Sequence, residues 1–304
     1  MSPIRIGVVG LGKIARDQHF PAIADNPRLE LAATVERAGA PSELNFPDYR
    51  DMLRSADVSA VAITTPPGPR YAIARDCLDA GKHVLLEKPP TATLAEIEDL
   101  RGRAAERGLT LFASWHAQHN AAVVRTAKLL EGRRIAQMKI TWHEDVEKWH
   151  PGQRWIWQAG GFGVFDPGIN AFSIASKISP GRLFVREAAL LFPEGADTPI
   201  AADIRFESPD SQGPLDCSLD WRRTAGELWS IDLTTADGTA ISLVDGGARL
   251  FVDGTEQQTP GLAEYPDIYR RLAELIDSGQ SDVDVAPLRL VADCLLVGSR
   301  RVAQ

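Results

Sequence analysis

The stretch IRIGVVGLGKIA, residues 4–15, constrains the chain more than any other. An apolar, β-branched run breaks into Gly10-x-Gly12-x-x-Ala15 and passes at once into a helix-forming sequence. Glycine at 10 allows a tight turn, glycine at 12 lets the backbone approach a pyrophosphate, and alanine at 15 permits close helix packing. A helix opening there turns free N–H groups and the positive end of its dipole toward phosphates. Such a glycine pattern is weak alone, but between a strand and a helix it predicts a dinucleotide-binding crossover. Lys13 and Ile14, in the same turn, join Gly10 and Gly12 as expected cofactor contacts. Glu36 directly follows the second strand candidate (29–35), about 20 residues beyond the glycines, where a ribose-binding acid belongs. Its carboxylate would accept from a ribose 2′-hydroxyl and repel a 2′-phosphate, which favours NAD. The adjacent Arg37 could stack on adenine or reach a phosphate, which keeps NADP open.

Strand candidates at 4–10, 29–35, 58–64, 83–87 and 109–114 alternate with amphipathic stretches, among them 69–82 and 93–108. The latter opens with Thr93 and Glu96 at capping-box spacing and closes on Gly108. This alternation implies right-handed βαβ crossovers and a doubly wound parallel sheet, a Rossmann-type α/β domain. Beyond residue 120 the rhythm changes. A helix is expected at 119–131, a strand within 134–146, a helix at 167–177, and strands at 183–192, 200–207, 215–222, 228–234, 239–244 and 248–252. Strands in series predict an open, mainly antiparallel sheet in an α+β domain. Two closing helices are expected at 264–278 and 287–302. At 304 residues the chain is about twice the ~150-residue domain prior. The expected division is a dinucleotide-binding domain at 1–118 and a substrate-binding and oligomerisation domain at 119–304, with the last helix able to pack back on the first.

A formal charge of −8 argues against a nucleic-acid or anionic-membrane partner, since either needs a basic face. No window approaches the ~20 apolar residues of a membrane span, and the N-terminal apolar run is too short for a signal peptide. Cys77, Cys217 and Cys294 are widely spaced with no Cys-x-x-Cys, as free thiols of a reducing compartment are. A cytoplasmic address is expected, and no metal site, because no histidine, cysteine and carboxylate cluster shows ligand spacing.

Three stretches carry the chemistry. GGFGVFDPGIN, residues 160–170, sets Asp166 and Asn170 four apart on one face of one helical turn. LLEKPP places Glu87 and Lys88 at the end of the fourth strand, the edge where open α/β sheets bind ligands; both are expected beside the cofactor. His116 follows the fifth strand at the same edge and is expected to touch substrate. Trp142, Trp149, Trp155 and Trp157 crowd around Glu144, Asp145, His150 and Gln153. Indole faces pack on the C–H faces of a sugar while carboxylates accept its hydroxyls. Trp149 and Glu144 are the expected contacts.

Together, GVVGLGKIA, GKHVLLEKP and the loop-helix at 160–170 resemble the glucose–fructose oxidoreductase and inositol dehydrogenase family. GKIARDQH, EKPP, WHPGQRWIW, GVFDPGIN and SDVDVAPLRLVAD resemble its bacterial aldose 1-dehydrogenase branch, of the L-arabinose and D-galactose type. The resemblance spans nearly the whole chain. It implies that Lys88, the lysine of Glu-Lys-Pro, lies by the nicotinamide and that Thr65 and Pro66 line the cofactor, with Arg70 where a histidine is common. It also implies that Asp166 belongs to the Asp-x-x-x-His turn facing substrate. Asn170 departs from that pattern, since a carboxamide has no proton to transfer near neutral pH. An anomeric hydroxyl is more acidic than an ordinary alcohol, so a weaker base suffices. Asp166 is then the expected proton acceptor, Lys88 its electrostatic support, and Asn170 a holder of sugar hydroxyls. The implied activity is NAD(P)-dependent oxidation of an aldopyranose at C1 to the lactone. The alternatives are a same-fold oxidoreductase on a cyclitol or other polyol, a glycosidase that retains NAD, and a non-catalytic NAD sensor. The implied partner is a small-molecule sugar, and the exposed face of an open sheet points to a dimer or tetramer.

Overall fold

The computed structural model describes residues 2–36 and 45–303; Arg37 lies outside the described residues. The chain forms two compact units, one from residues 1–116 with 263–285 and one from 117–262 with 286–304.

In the first unit, β1 (Ile4–Val9), β2 (Leu29–Val35), β3 (Asn45–Phe46), β4 (Ala60–Ile63), β5 (His83–Leu86) and β6 (Leu111–Ala113) form one sheet in the order β3-β2-β1-β4-β5-β6. Every pairing is parallel. Val8, Val61, Ile63, Val84 and Leu86 are all buried, as strands covered on both faces require. The order reverses between β1 and β4, and in such sheets that switch point opens a crevice at the carboxyl ends of the strands. After β1 a wide π-type turn, Ala15–His19, leads into α1 (Phe20–Ala24); α2 (Tyr49–Ser55), α3 (Pro67–Asp79) and α4 (Leu94–Glu106) supply further crossovers. The expected capping box forms at α4, with Thr93 Oγ1 accepting from Glu96 N at 3.3 Å and Glu96 Oε2 accepting from Thr93 N at 3.0 Å.

The second unit holds a nine-stranded sheet: β7 (Ile135–His143), β8 (Phe184–Phe192), β9 (Ala201–Glu207), β10 (Leu215–Asp220), β11 (Leu228–Thr235), β12 (Ala240–Val244), β13 (Arg249–Val252), β14 (Thr255–Gln257) and β15 (Ser299–Val302). The order is β14-β13-β12-β11-β7-β10-β9-β8-β15. Only the β7–β10 and β8–β15 pairs are parallel. Alternation sends Ile140, Ile204, Phe206, Leu219, Ile231 and Leu243 into the core. The opposite face sets Asp232, Lys139 and Asp216 side by side across three strands. α5 (Ala121–Leu130), α6 (Val146–Trp149) and α7 (Phe165–Ile178) belong to this unit. α7 is buried along most of its length. Gly168 lets it approach the sheet, because a Cβ there would stand 2.5 Å from Leu219 Cδ1.

Two expectations about the C-terminus need correction. The helix that joins the first unit is not the last one but α8 (Glu264–Ser278), whose Tyr265, Ile268, Tyr269, Leu272 and Leu275 share one core with Ile4, Ile6, Val8, Leu85 and Phe112. Their i, i+3, i+4 spacing makes a stripe that must be covered. The last helix, α9 (Ala286–Val297), packs on α7 and β8 instead. It also ends earlier than expected. Gly298 interrupts it, and residues 299–302 pair with β8 as β15, because a free sheet edge offers those four residues a ladder that outweighs local propensity. Among the described residues, no helix is long and apolar enough to cross a membrane.

Candidate active site

The first unit builds a cofactor edge. The chain leaves β1 at Gly10 with φ 95°, and a Cβ there would stand 2.9 Å from Thr65 Cγ2 and 3.0 Å from Thr65 N. Both the backbone angle and the close approach therefore demand glycine. Gly10→Ala is expected to lower unfolding free energy by about 2–4 kcal/mol, combining left-handed strain with overpacking; urea unfolding reads this directly, and a loss below about 0.5 kcal/mol would mean that the turn relaxes freely. At Gly12 a Cβ would meet nothing within 4 Å. The loop thus presents bare backbone to open space, the fit a pyrophosphate needs. Lys13 and Ile14 are exposed on the same turn, with the Lys13 ammonium paired to Asp17. Glu36 Oε2 accepts from Leu11 N at 3.4 Å, so the acid after β2 reaches back to the glycine turn. Thr65 Oγ1 is buried without a hydrogen-bond partner among the described residues, and Pro66 stands at the N-cap of α3. These residues fit a nicotinamide dinucleotide. Arg70, unassigned by spacing, is buried and donates to the carbonyls of Thr65, Glu87 and Pro89. One guanidinium thus ties the loop after β4 to the loop after β5.

Glu87 is not open to that edge. It is 4% exposed, its Oε1 accepts from Tyr265 Oη at 2.8 Å and pairs with His19 Nε2 at 3.1 Å, and its Oε2 accepts from Lys88 N at 2.8 Å. Sequence alone leaves His19 a surface or capped residue; the structure buries it, with Nδ1 2.7 Å from Tyr269 Oη. Burial alone would raise the Glu87 carboxyl, but His19 beside it, the charge of His116 and the Tyr265 hydroxyl pull it down to about 2. Lys88 is half-buried. His116 stacks on Tyr265 at 5.8 Å, and its Nδ1 lies 3.1 Å from Glu264 Oε2. Burial lowers the His116 imidazole, yet Glu264 and Glu87 outweigh it and leave the pKa raised, while the Lys88 ammonium opposes the charge. Lys88 and His116 therefore feel each other at one sheet edge.

In the second unit, Asp166 lies in the first turn of α7 and is 6% exposed. Val164 holds the N-cap position, so Asp166 is not the cap. Its Oδ2 lies 3.3 Å from His150 Nε2. Asn170, half-buried, follows one turn later on the same face. His150 comes directly after α6, whose start Asp145 caps by accepting from Glu147 N at 2.9 Å. The His150 ring tilts against Trp221 at 5.2 Å, with Nδ1 3.4 Å from Gln153 Oε1. The spacing of His150 signals nothing by itself; only the fold brings it to Asp166.

Glu144 takes a different place from the expected sugar contact. It is 4% exposed, and its two carboxylate oxygens accept from Trp221 Nε1 at 3.0 Å and Trp229 Nε1 at 2.9 Å. Buried indoles need acceptors, so this carboxylate orients two tryptophans. Trp149 is 43% exposed, donates to Glu227 Oε1 at 3.2 Å, and leans on Trp229 at 5.7 Å. Trp229 also stacks on Trp142 at 5.8 Å. The Lys148 ammonium also lies over the Trp149 ring, 5.1 Å from its centroid, so this partly exposed indole stands between a cation and an aromatic stack. Trp221 and Trp229 escape a motif reading because they lie far along the chain from WHPGQRWIW; their one signal is a tryptophan near a strand end. Among the described residues, no three of His, Cys, Asp or Glu are placed to hold a metal ion.

Comparison with known proteins identifies the family. The profile of the oxidoreductase family with an NAD-binding Rossmann fold matches residues 4–114. Galactose 1-dehydrogenase of Pseudomonas fluorescens is 43% identical over 304 residues, covering 99% of this chain and 97% of that protein. A dTDP-3,4-didehydro-2,6-dideoxy-alpha-D-glucose 3-reductase of Streptomyces violaceoruber is 30% identical, covering 93% and 91% of the two chains. The crystal structure of D-galactose-1-dehydrogenase from Rhizobium etli superposes with a TM-score of 0.94 at 47% identity, covering 100% of this chain and 97% of that one. A 3-ketoreductase from Actinomadura kijaniata, solved with TDP-benzene and NADP, shares the fold at 20% identity, with a TM-score of 0.83 over the whole of both chains. With its glycine turn, its Glu-Lys-Pro edge and a full-length relative at 43% identity, the chain belongs to the oxidoreductase family with an NAD-binding Rossmann fold, the glucose–fructose oxidoreductase and inositol dehydrogenase group.

Proposed function

We propose that this protein oxidises an aldopyranose of the D-galactose or L-arabinose type at C1, with NAD(P) as acceptor and the aldonolactone as product. The single observation that carries the mechanism is the pairing of Asp166 with His150 at 3.3 Å, beside the position where Asn170 stands for the family's histidine. The bound nicotinamide supplies the hydride acceptor. Gly10, Gly12, Glu36 and Thr65 would hold the dinucleotide, with Glu36 favouring NAD. Asp166 accepts the proton of the C1 hydroxyl, which the ring oxygen has already acidified, and His150 shares that proton as a second base. Lys88 supplies positive charge to stabilise the negative charge that develops during oxidation. Asn170 binds neighbouring hydroxyls without titrating, and the partly exposed Trp149 offers apolar indole surface to sugar C–H groups. The names of the two galactose dehydrogenases support the substrate class.

The same reading favours a reducing, cytoplasmic setting, since the three cysteines are buried thiols and burial pushes Cys77 up to about 12. It also favours a homo-oligomer that covers the Asp232, Lys139 and Asp216 face of the second sheet.

Initial rates of reduced-nicotinamide formation test it, with NAD and NADP against D-galactose, L-arabinose, D-glucose, myo-inositol and a blank. Reduction with an aldose but not with inositol is the expected result, with NAD preferred. If every sugar leaves bound NAD unreduced, the dehydrogenase reading fails.

A further inference from the structure

Glu87 stands where the sequence pattern places a cofactor contact, yet its surroundings describe a different task. Its backbone N donates to Ile63 O at 3.1 Å, and its carbonyl accepts from Arg70. Its Oε1 meets Tyr265 of α8 and His19 of the turn after β1, and its Oε2 meets Lys88 N. Tyr269 holds the far side of His19 at 2.7 Å. With Nε2–H donating to Glu87, His19 Nδ1 can accept from the Tyr269 hydroxyl, so every donor in the chain has an acceptor. Groups from three separate elements thus converge on one carboxylate that is 4% exposed. A buried charge is costly unless it is fully hydrogen-bonded, and this one is bonded by side chains on one oxygen and by the reactive lysine's own amide on the other.

We infer that Glu87 is a positioning residue for Lys88: it does not bind the cofactor, but fixes the backbone from which Lys88 projects and keeps a negative charge beneath the ligand edge. Resting on the role given to Lys88 above, this deepens the mechanism by naming what aims the lysine. The charge reaches beyond the hydrogen bonds, because Glu87 favours the charged form of His116 while Lys88 opposes it and Glu264 assists. Lys88, His116, Glu264 and Glu87 are therefore one interacting set at the end of β5 and β6, with Arg70 on its backbone side.

Two substitutions in the full-length protein separate the parts of this role. In Glu87→Gln the carboxamide oxygen can take the Lys88 N–H while its amino group faces Tyr265 Oη and His19 Nε2, the imidazole moving its proton to Nδ1. The backbone bond survives and the charge is lost. Glu87→Ala loses both. NADH affinity, read by nicotinamide fluorescence, is expected to stay within about 2-fold in each, while kcat at saturating NAD and sugar falls about 10-fold in Glu87→Gln and about 100-fold in Glu87→Ala. Hydrogen exchange at the Lys88 amide should rise at least about 10-fold in Glu87→Ala alone, and the NMR titration of His116 should move to lower pH in both. Tyr265→Phe, which removes one donor and leaves the packing, should lower kcat by about 3-fold and guards against an unfolded alanine variant. A rise of about 10-fold or more in the NADH Kd with kcat retained would make Glu87 a cofactor contact and overturn the inference, as would unchanged kcat together with an unchanged Lys88 amide. Should the wild type reduce NAD with no aldose, the sugar reading falls separately. The amide exchange and NADH affinity then still decide, supporting the inference if exchange alone changes and overturning it if affinity alone does.

Discussion

Asp166→Asn is expected to lower kcat by about 10³-fold or more while NADH binds within about 2-fold of the wild-type affinity. Asparagine keeps the volume of the side chain in the first turn of α7, where Asp166 is 6% exposed, and can still hydrogen-bond His150 Nε2, which lies 3.3 Å from the carboxylate. On the proposed mechanism, what disappears is the basic carboxylate that takes the proton, since a carboxamide oxygen accepts hydrogen bonds but is not a base near neutral pH. Because the substitution spares the packing, the thermal midpoint should move little. Stopped-flow absorbance would locate the loss in the hydride step, and a C1-deuterated sugar would show a larger isotope effect on kcat than in the wild type. His150→Gln removes the second base but not the first acceptor, so its loss should be smaller, about 10-fold. Near-normal turnover in Asp166→Asn would remove Asp166 from the proton path and leave His150 as the base.

Lys88→Met should cost about 10²- to 10³-fold in kcat, because methionine keeps the length of the stem and removes the charge that meets the developing oxyanion. The ammonium is felt at His116, so the same variant should also move the His116 titration to higher pH. Sugar KM should rise only a few-fold, since the charge matters most where negative charge develops. A large rise in KM with kcat preserved would show that Lys88 binds the ground state instead.

The parts of the fold that repeat a physical pattern are legible without coordinates. β2 spans Leu29–Val35 and α8 spans Glu264–Ser278, as the sequence predicts, because a short β-branched run and an i, i+3, i+4 stripe each leave one way to bury their apolar faces. Residues 299–302 carry no such period, and only the waiting edge of β8 decides their state. At the candidate site, the motifs single out Gly10, Gly12, Glu87, Lys88 and Asp166. They do not reveal the partners that the fold brings to the buried carboxylates. His19 and Tyr269 touch across 250 positions, and Tyr265 reaches Glu87 across 178. Glu144 misleads for a related reason, since a carboxylate among tryptophans looks ready for a sugar until the two indole N–H groups that need it are found on Trp221 and Trp229.

The borrowing of α8 by the first unit also orders events during synthesis. The parallel sheet is fully translated once residue 116 is made, but the helix that joins its core comes from residues 264–278, and at roughly 5–20 residues per second that helix arrives some ten to thirty seconds later. Until then Ile4, Ile6, Val8 and Phe112 lack the partners they have in the finished core. The nascent nucleotide-binding half must therefore wait, with apolar surface open, for a segment encoded beyond almost the whole of the other unit. A gene cut after residue 118 would make that waiting state permanent, yielding a sticky fragment in place of a free-standing NAD-binding domain.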